Sequence, residues 1–327
     1  MSRCRILVTE SAGFSPAAAR VLSGLGDLRL ADLDRQALLK SLSNVTVLWI
    51  RLRHRIDTPV IAAAPRLRVI VSPTTGLNHI DTDEAAARGI AVLSLRGETA
   101  FLNDVVATAE HTLALTLALL RRLPAAVRHT GVGGWDRDQF KGREVRGRTI
   151  GVIGYGRLGR IVANYFIALG ARVLVTDPEA DAASITPEIS LVTLPELLER
   201  ADLVTLHANL TPSNRGFYGK AEFQSMRTGA WFVNTSRGEL IDEAALLSAL
   251  ESGHLAGAAL DVLDDELSTG MAHNRLVQYA QSHDHLIITP HIGGCTSESM
   301  DKTERFLAER LRTFLAGPTE GQPQCVE

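Results

Sequence analysis

Cysteine is scarce in this sequence. The 327 residues include three cysteines, and they are too widely spaced to form the paired pattern of a metal site. These are Cys4, Cys295 and Cys325. The apolar run at the N-terminus is too short for a signal peptide and leads directly into a predicted strand. We therefore expect reduced thiols, no bound metal and a cytoplasmic location.

Long hydrophobic runs and a large excess of one charge are also lacking. The apolar stretch 113–120 is followed by Arg121 and Arg122, so it predicts a buried helix and not a membrane span. The formal net charge of −3 gives no basic surface for a polyanion. Neither nucleic acid nor a membrane is therefore an expected partner. With 45% hydrophobic residues, the chain is an ordinary globular protein long enough for two domains, each with its own core.

A glycine fingerprint organises the middle of the chain. Gly154, Gly156 and Gly159 have the G-x-G-x-x-G spacing, after a strand pattern and before a helix pattern. The first glycine permits a tight turn, the second lets the backbone approach a pyrophosphate, and the third lets the helix pack closely on the strand. This context predicts a dinucleotide-binding unit. The alternative is an ordinary strand-loop-helix of another α/β protein.

The helix after the fingerprint supplies the rest of the predicted nucleotide site. It begins at Arg157 and Leu158, and its first N–H groups and its dipole favour an anion. The following strand pattern, 173–175, leads to Asp177. A carboxylate there can accept hydrogen bonds from an adenosine ribose and would repel a 2′-phosphate. The sequence therefore predicts NAD, and an NADP-linked reductase is the disfavoured alternative.

Alternating strand and helix patterns predict an α/β protein throughout. In the first hundred residues, strands are predicted at 6–9, 45–50, 68–71 and 90–94, with helices at 16–24, 35–42, 57–64 and 83–88. After the fingerprint, strands at 203–206, 230–234, 256–259 and 286–289 bring the second sheet to six strands, with Asp242 as a predicted helix N-cap. We also predict a long buried helix at 103–123, a loop at 131–147 anchored by Trp135 and Phe140 on a neighbouring domain or subunit, and a final helix at 297–315.

Two loops of the first domain follow strand ends, where open α/β sheets bind ligands. The first, 51–55, is rich in basic side chains and includes Arg51 and Arg53. It predicts either recognition of a carboxylate or phosphate, or a solvated charged loop. The second, 72–78, contains Thr74, Thr75 and Gly76, whose backbone amides we expect to hold a substrate carboxylate.

Seven motifs in order resemble the D-isomer-specific 2-hydroxyacid dehydrogenase family. They are T-G-L-N-H-I-D at 75–81, T-A-E-H at 108–111, the glycine fingerprint, L-H at 206–207, N-T-S-R-G at 234–238, A-L-D-V at 259–262 and T-P-H-I-G-G at 289–294. The resemblance implies a Rossmann-type, doubly wound parallel sheet that binds NAD, and a smaller flavodoxin-like α/β substrate domain that is discontinuous in sequence. The predicted ranges are 103–291 for the first, and 1–102 with 292–327 for the second. A homodimer is implied as well.

The resemblance also implies the site residues and the reaction. Arg237, Glu266 and His291 form the implied catalytic set. Arg237 would bind and polarise a 2-keto acid, His291 would be the acid/base, and Glu266 would support His291. Further cofactor-binding residues implied by the family are Thr108, His207, Thr235, Ser236, Asp261, Gly293 and Gly294. The expected function is an NAD-dependent D-2-hydroxyacid dehydrogenase, and the alternative is an NAD(H)-sensing, corepressor-like binding protein.

Three departures from the family pattern leave points open. Asp264 and Asp265 precede Glu266 and could shift its register, and Leu267 replaces the usual proline. Ser72 stands where phosphoglycerate-type members commonly have an arginine, so we expect no recognition of a phosphate by that residue, although Arg51 or Arg53 could substitute. The sequence therefore does not identify the 2-hydroxy acid.

Overall fold

The computed structural model describes residues 4–180, 185–267 and 270–317, so Cys325 lies outside the described residues. The chain divides into two compact units. Unit 1 comprises Met1–Val105 and Thr296–Glu327, and unit 2 comprises Val106–Cys295. Each unit is built on one parallel β-sheet. The predicted α/β class is therefore confirmed.

Unit 1 has a five-stranded sheet with helices on both faces. Its strands are β1 (Cys4–Val8), β2 (Gly26–Leu30), β3 (Val47–Trp49), β4 (Val69–Ser72) and β5 (Ala91–Ser94). Its helices are α1 (Pro16–Leu25), α2 (Arg35–Ser41), α3 (Thr58–Ala62), α4 (Thr82–Ala87), α5 (Thr99–Leu102) and the last helix of the chain, α13 (Ser297–Ala316). The strand order β2-β1-β3-β4-β5 is the flavodoxin-like order that was expected.

Local sequence explains most of these elements. Asp34, Asp57 and Asp81 are the N-caps of α2, α3 and α4, and each accepts a hydrogen bond from a backbone N–H of the first turn. Helix α13 places Leu307 and Leu311 in the core beside β1 and β3. Strand β2 was not predicted, because Gly-Asp-Leu-Arg-Leu is a mostly exposed edge strand without a clear apolar alternation.

Unit 2 has a seven-stranded sheet. Its strands are β6 (Thr149–Ile153), β7 (Arg172–Thr176), β8 (Ile189–Leu191), β9 (Leu203–Leu206), β10 (Ala230–Asn234), β11 (Leu255–Leu260) and β12 (Leu286–Ile288). Its α-helices are α6 (Ala107–Leu120), α7 (Leu123–Gly131), α8 (Arg157–Ala168), α9 (Leu194–Arg200), α10 (Lys220–Ser225), α11 (Glu243–Glu251) and α12 (Arg275–Ala280). Short 3₁₀ helices lie at Asp138–Phe140, Gly238–Leu240 and Met271–His273.

The order β12-β11-β10-β9-β6-β7-β8 is a Rossmann-type doubly wound sheet with one strand more than the six predicted. The missed strand is β8, whose three residues are too few to show a period and lie at the sheet edge. Two apolar layers cover the sheet faces. Asp242 caps α11 as predicted, since its carboxylate accepts from the N–H groups of Ala244 and Ala245.

The segment predicted as one helix at 103–123 is different in the structure. Helix α6 ends at Leu120, Arg122 takes a left-handed conformation (φ 54°), and α7 begins at Leu123. Pro124 explains the break, because a proline favours the start of a helix and not its interior. None of the helices among the described residues is long and apolar enough to cross a membrane.

The loop after α7 also departs from its prediction. Trp135 was expected to anchor the loop, but its side chain is 92% exposed and so does not pack on its own chain. Phe140 does make contacts, since its ring lies 5.2 Å from that of His129 and the Arg122 guanidinium lies over it. The structure therefore gives no support for Trp135 as an anchor within its own chain, and its contact with a second subunit stays a prediction.

Candidate functional site

The predicted site residues of unit 2 follow the carboxyl ends of its strands. Gly154 follows β6, Asp177 follows β7, His207 follows β9, Thr235 follows β10, Asp261 follows β11 and Thr289 follows β12. Because all these strands are parallel, the residues lie along one edge of the sheet. The strand order reverses between β6 and β9, which is where doubly wound sheets bind their ligands.

Two glycines of the fingerprint are required by close backbone contacts. Gly154 has φ 90°, and a Cβ on it would lie 2.7 Å from the backbone of His207 and Ala208. A Cβ on Gly159 would lie 2.0 Å from the Gly154 carbonyl oxygen. The first contact packs the turn on the segment after β9, and the second holds the start of α8 against the end of β6.

Gly156 differs from both and provides the test of whether a dinucleotide fits. A Cβ built on Gly156 would meet no described atom within 4 Å, so the space beside this backbone is open. Gly156 is also the N-cap of α8, and no side chain caps this helix. Open space in front of uncapped first-turn N–H groups suits a pyrophosphate. The residues present therefore fit a dinucleotide.

The other residues at this helix start lie around the same turn. Asp177 Oδ2 accepts a hydrogen bond from the Tyr155 N–H (2.6 Å), and its Oδ1 accepts from the Glu179 N–H (2.8 Å). Each carboxylate oxygen retains a lone pair that a ribose hydroxyl can use. Burial lowers the pKa of Arg157, while Leu158 packs against the apolar layer of the sheet.

His207 lies at the reversal point as a buried histidine. Its Nε2 is 2.9 Å from the Thr205 hydroxyl, and its Nδ1 is buried without a hydrogen-bond partner among the described residues. Burial lowers the pKa of His207 to about 4. The imidazole is therefore neutral at pH 7.

The loop after β10 is held by hydrogen bonds within unit 2. The Thr235 hydroxyl is 2.8 Å from that of Thr112, and the Ser236 hydroxyl donates to the Leu206 carbonyl (2.8 Å). Arg237 donates from Nη1 to the Ser236 carbonyl (2.6 Å). Its neighbour Gly238 packs so tightly on the segment after β11 that a Cβ would lie 1.9 Å from the Leu263 carbonyl carbon. Arg237 is thus presented by a rigid turn beside that segment.

Asp261 is a buried carboxylate that organises the loop after β12. Its side chain is about 1% exposed and accepts four hydrogen bonds. The donors are the Thr289 hydroxyl (2.6 Å), the backbone N–H groups of Ile292 (2.9 Å) and Gly293 (2.7 Å), and Nε2 of His111 (3.2 Å). Burial acts to raise the pKa of Asp261, but these hydrogen bonds outweigh it and the pKa is lowered. The carboxylate is therefore ionised, and it fixes the Thr289 side chain before His291 and the backbone of Ile292 and Gly293 after it.

His111 was part of a quoted motif but was not predicted as a site residue. Its Nε2 lies 3.2 Å from Asp261 and 3.1 Å from the Thr289 hydroxyl. Since that hydroxyl donates to Asp261, Nε2 of His111 must be the proton donor to both. Thr108, one helical turn earlier, lies beside Gly293, where a Cβ would be 3.2 Å from its methyl group. The sequence signal that could have identified His111 as a site residue is its i, i+3 spacing from Thr108, which puts the two on one face of α6.

His291 and Glu266 form a close pair. Nδ1 of His291 is 2.5 Å from Oε1 of Glu266, and both side chains are about one-fifth exposed. His291 has φ 54°, a strained backbone conformation for a non-glycine residue, and its N–H donates to the Asp261 carbonyl (2.8 Å). The structure thus brings Glu266, and not its acidic neighbour Asp264, to the imidazole; Asp264 pairs with Arg215 instead.

Gly294 follows in the same loop and borders open space, since a Cβ on it would meet no described atom within 4 Å. No group of three or more metal-ligating side chains occurs among the described residues. The edge of unit 2 therefore offers an open glycine turn, a cation and an imidazole-carboxylate pair. These can bind a dinucleotide, bind a carboxylate and move a proton.

Apart from Arg237 and His291, the predicted substrate residues lie in unit 1. The Thr74 hydroxyl donates its proton to the Gly76 carbonyl (2.8 Å) and therefore accepts from the buried Ser72 hydroxyl (2.9 Å), so the turn containing Thr75 is closed by its own side chains. Arg51 donates from Nε (2.8 Å) and Nη2 (2.5 Å) to the buried carboxylate of Glu304 and from Nη1 to the Ala12 carbonyl (2.8 Å). Arg51 therefore has a structural role in unit 1, which does not support its predicted contact with substrate. Arg53 pairs with Asp32 at 3.2 Å, and both side chains are nearly half exposed.

Fold and site together define a dinucleotide-binding α/β protein with an imidazole–carboxylate pair at the same sheet edge as its glycine turn. More specifically, the chain belongs to the D-isomer specific 2-hydroxyacid dehydrogenase family. The model of that family's NAD binding domain matches residues 113–293, which is more than half of the chain. The resemblance stated from the motifs is therefore confirmed.

Individual relatives span much of the chain. It is 36% identical over 319 residues to the D-3-phosphoglycerate dehydrogenase of Mycobacterium tuberculosis, covering 97% of this chain and 58% of that protein. The chain thus spans little more than half the length of the curated relatives it matches.

Solved structures match over nearly their whole length. The TT0316 protein from Thermus thermophilus is 32% identical, with a TM-score of 0.81 and coverage of 98% of this chain and 99% of that one. The D-lactate dehydrogenase from Aquifex aeolicus, solved with NAD and lactic acid, is 26% identical, with a TM-score of 0.81 and coverage of 96% of both chains.

Proposed function

We propose that this protein is an NAD-dependent D-2-hydroxyacid dehydrogenase, which interconverts a D-2-hydroxy acid and its 2-keto acid. The observation that carries the proposal is the contact between His291 and Glu266 at the same sheet edge as the open turn at Gly156. Two kinds of relative support the reaction class, a phosphoglycerate dehydrogenase and a lactate dehydrogenase solved with NAD. No described feature favours the alternative of a sensing protein.

The proton-transfer role falls to His291. The Glu266 side chain accepts from Nδ1, which fixes the ring orientation and leaves Nε2 for the substrate oxygen. The carboxylate also stabilises the imidazolium form, so the ring can donate a proton to the alkoxide formed on reduction and accept it in the reverse reaction. The left-handed backbone of His291 is held by Asp261 on both sides, which limits movement of the imidazole.

Arg237 is the proposed anchor for the substrate. Its guanidinium can bind a carboxylate with two parallel hydrogen bonds and polarise the adjacent keto group. The tight packing of Gly238 supports this role, because a rigid turn reduces the cost of orienting the side chain. Backbone amides of Thr74, Thr75 and Gly76 are the proposed second contact for the carboxylate.

The proposed NAD site is the edge around the glycine turn. NAD when bound supplies or accepts the hydride. Gly154, Gly156, Arg157, Leu158 and Gly159 would surround the pyrophosphate, and Asp177 the adenosine ribose. The remaining proposed contacts are Thr108, His207, Thr235, Ser236, Asp261, Gly293 and Gly294. Several of their side chains are already bonded within unit 2, so we assign contacts to the backbone for His207, Thr235 and Ser236.

The proposal is tested by NADH oxidation with a panel of 2-keto acids. We expect at least one acid to be reduced, and the product to be oxidised as its D and not its L form. His291→Ala should lower kcat by roughly 10²- to 10⁴-fold, the range for loss of a general acid/base. His273→Ala, an exposed histidine of the same unit, is the matched control. Tight NADH binding without turnover of any acid would favour the sensing protein instead.

We also propose that the protein is a cytoplasmic homodimer. Val127, Val132 and Trp135 are exposed apolar side chains on and after α7, and a second copy is the proposed cover. Light scattering on a size-exclusion column should give twice the chain mass, and Val132→Asp should shift the population towards monomer. A monomer at micromolar concentration would refute the dimer. Cell fractionation tests the location.

A further inference from the structure

Arg51 is one of the two arginines that the sequence offers for a second anionic group, yet all three nitrogens of its guanidinium are engaged. Nε and Nη2 donate to Glu304 and Nη1 to the Ala12 carbonyl. Glu304 is fully buried, and its other oxygen accepts from the Ser15 N–H at 2.7 Å. Withdrawing Arg51 to bind a ligand would leave a buried carboxylate without its counter-ion, which is a costly state.

The neighbouring arginines are also matched by carboxylates. Arg53 pairs with Asp32, and Arg35 with Asp57 at 2.6 Å. Asp32 is held in place because it accepts from the Ser11 hydroxyl (2.7 Å), and this hydrogen bond helps to lower its pKa. Two of the three arginines of loop 51–55, Arg51 and Arg53, are therefore already paired with carboxylates. An approaching dianion meets these paired charges and not two available cations.

The second loop has no cation to offer at its key position. The side chain of Ser72 is buried, with its hydroxyl 2.9 Å from that of Thr74 and 3.1 Å from Nε2 of His79. His79 is buried as well. These contacts point the Ser72 hydroxyl into unit 1, where it sets the shape of the turn. The turn can thus present backbone N–H groups to one carboxylate, but this position carries no charge for a phosphate.

We infer that the substrate is a 2-keto acid whose carboxylate is its single anionic group, without a phosphate. The inference rests on the proposed dehydrogenase function. It separates this chain from the phosphoglycerate dehydrogenases that it resembles in sequence. The physical reason is that each arginine expected to receive a phosphate already neutralises a carboxylate of its own unit.

A matched pair of substrates provides the test. Hydroxypyruvate and 3-phosphohydroxypyruvate differ by the phosphate alone, and both are assayed with NADH beside a panel of unphosphorylated 2-keto acids. A phosphate transferred from water without a charged partner loses its strongest hydrogen bonds, so we expect kcat/KM to favour hydroxypyruvate by at least about tenfold. A smaller preference, or one for the phosphorylated acid, overturns the inference and leaves the dehydrogenase function standing. If neither compound and no panel member is reduced, the dehydrogenase function itself is refuted.

Two variants test the role of Arg51. Arg51→Gln and Glu304→Gln remove opposite ends of the same ion pair, so both should lower the melting temperature while the ratio of the two kcat/KM values stays within about twofold of wild type. A tenfold fall in relative activity toward the phosphorylated acid in Arg51→Gln, but not in Glu304→Gln, would show that Arg51 binds the phosphate. Should both variants fail to fold, Arg53→Gln carries the same expectation on an exposed side chain.

Discussion

Replacing the buried carboxylate of Asp261 by an amide should destabilise unit 2 and impair the loop that carries His291. In Asp261→Asn one side-chain oxygen can still accept from Thr289 and Ile292. The new NH₂ group then faces the Gly293 N–H, which in the wild type donates over 2.7 Å. One charge-assisted hydrogen bond is lost and a buried N–H is left opposite a donor. We estimate a loss of roughly 2–4 kcal/mol in the free energy of unfolding.

This loss is measured by urea titration monitored by circular dichroism, and it counts as a change in stability if the m-value is the same in wild type and variant. The control is Asp264→Asn, the same substitution on a carboxylate that is 45% exposed and paired with the exposed Arg215. The control should change stability by less than about 0.5 kcal/mol. The reasoning is refuted if Asp261→Asn is as stable as the control. A normal kcat in a destabilised Asp261→Asn would refute the link to His291.

The effect of Asp261→Asn should depend on pH in a defined direction. Burial acts to raise the pKa of Asp261, but its hydrogen bonds lower it below the ordinary 3.8. A carboxylate whose pKa is lower in the folded state stabilises the protein above the unfolded pKa, and this contribution is lost as the pH falls through the folded value. The stability difference between wild type and Asp261→Asn should therefore be full at pH 7 and shrink below about pH 4.

Three further predictions concern the glycine turn, the buried histidine and the acid/base pair. Gly156→Ala should fold with nearly wild-type stability and bind NADH at least about tenfold more weakly, because its Cβ enters space free of described atoms. Gly159→Ala should be destabilised by several kcal/mol, because its Cβ meets a carbonyl oxygen at 2.0 Å. Equal stability of the two variants would contradict this prediction. Burial lowers the pKa of His207 to about 4, so below pH 6.5 the unfolded chain takes up a proton that the folded chain does not. Between pH 7 and pH 5 the free energy of unfolding, measured by urea titration, should therefore fall by about 2 kcal/mol more in wild type than in His207→Asn. Glu266→Gln should lower kcat less than His291→Gln and should shift the pH profile of kcat, which a purely structural carboxylate would not do.

Much of the fold follows from local sequence. Helices were predicted at 35–42 and 57–64, with Asp242 as the N-cap of a third, and the structure has helices there that begin after Asp34, Asp57 and Asp242. The strands that the sequence did not reveal, β2 and β8, lie at sheet edges, where one side is solvent and the apolar signal is weak. The helix predicted at 103–123 runs three residues past Leu120, where α6 ends, and the separate helix α7, which begins at Leu123 beside Pro124, was not predicted.

The sequence by itself determined the sheet class, the glycine turn, the preference for NAD suggested by Asp177, and the residue types available for acid/base chemistry. Each is written in a short stretch of chain, because turns, caps and strand ends depend on neighbouring residues. Tertiary structure decided which charges remain available. Glu304 lies 253 residues from Arg51, and Glu266 lies 25 residues from His291. Folding brings residues this far apart in sequence into contact. Arg51 therefore became part of an internal ion pair, and Glu266, one of several neighbouring acidic residues, came to face the imidazole of His291.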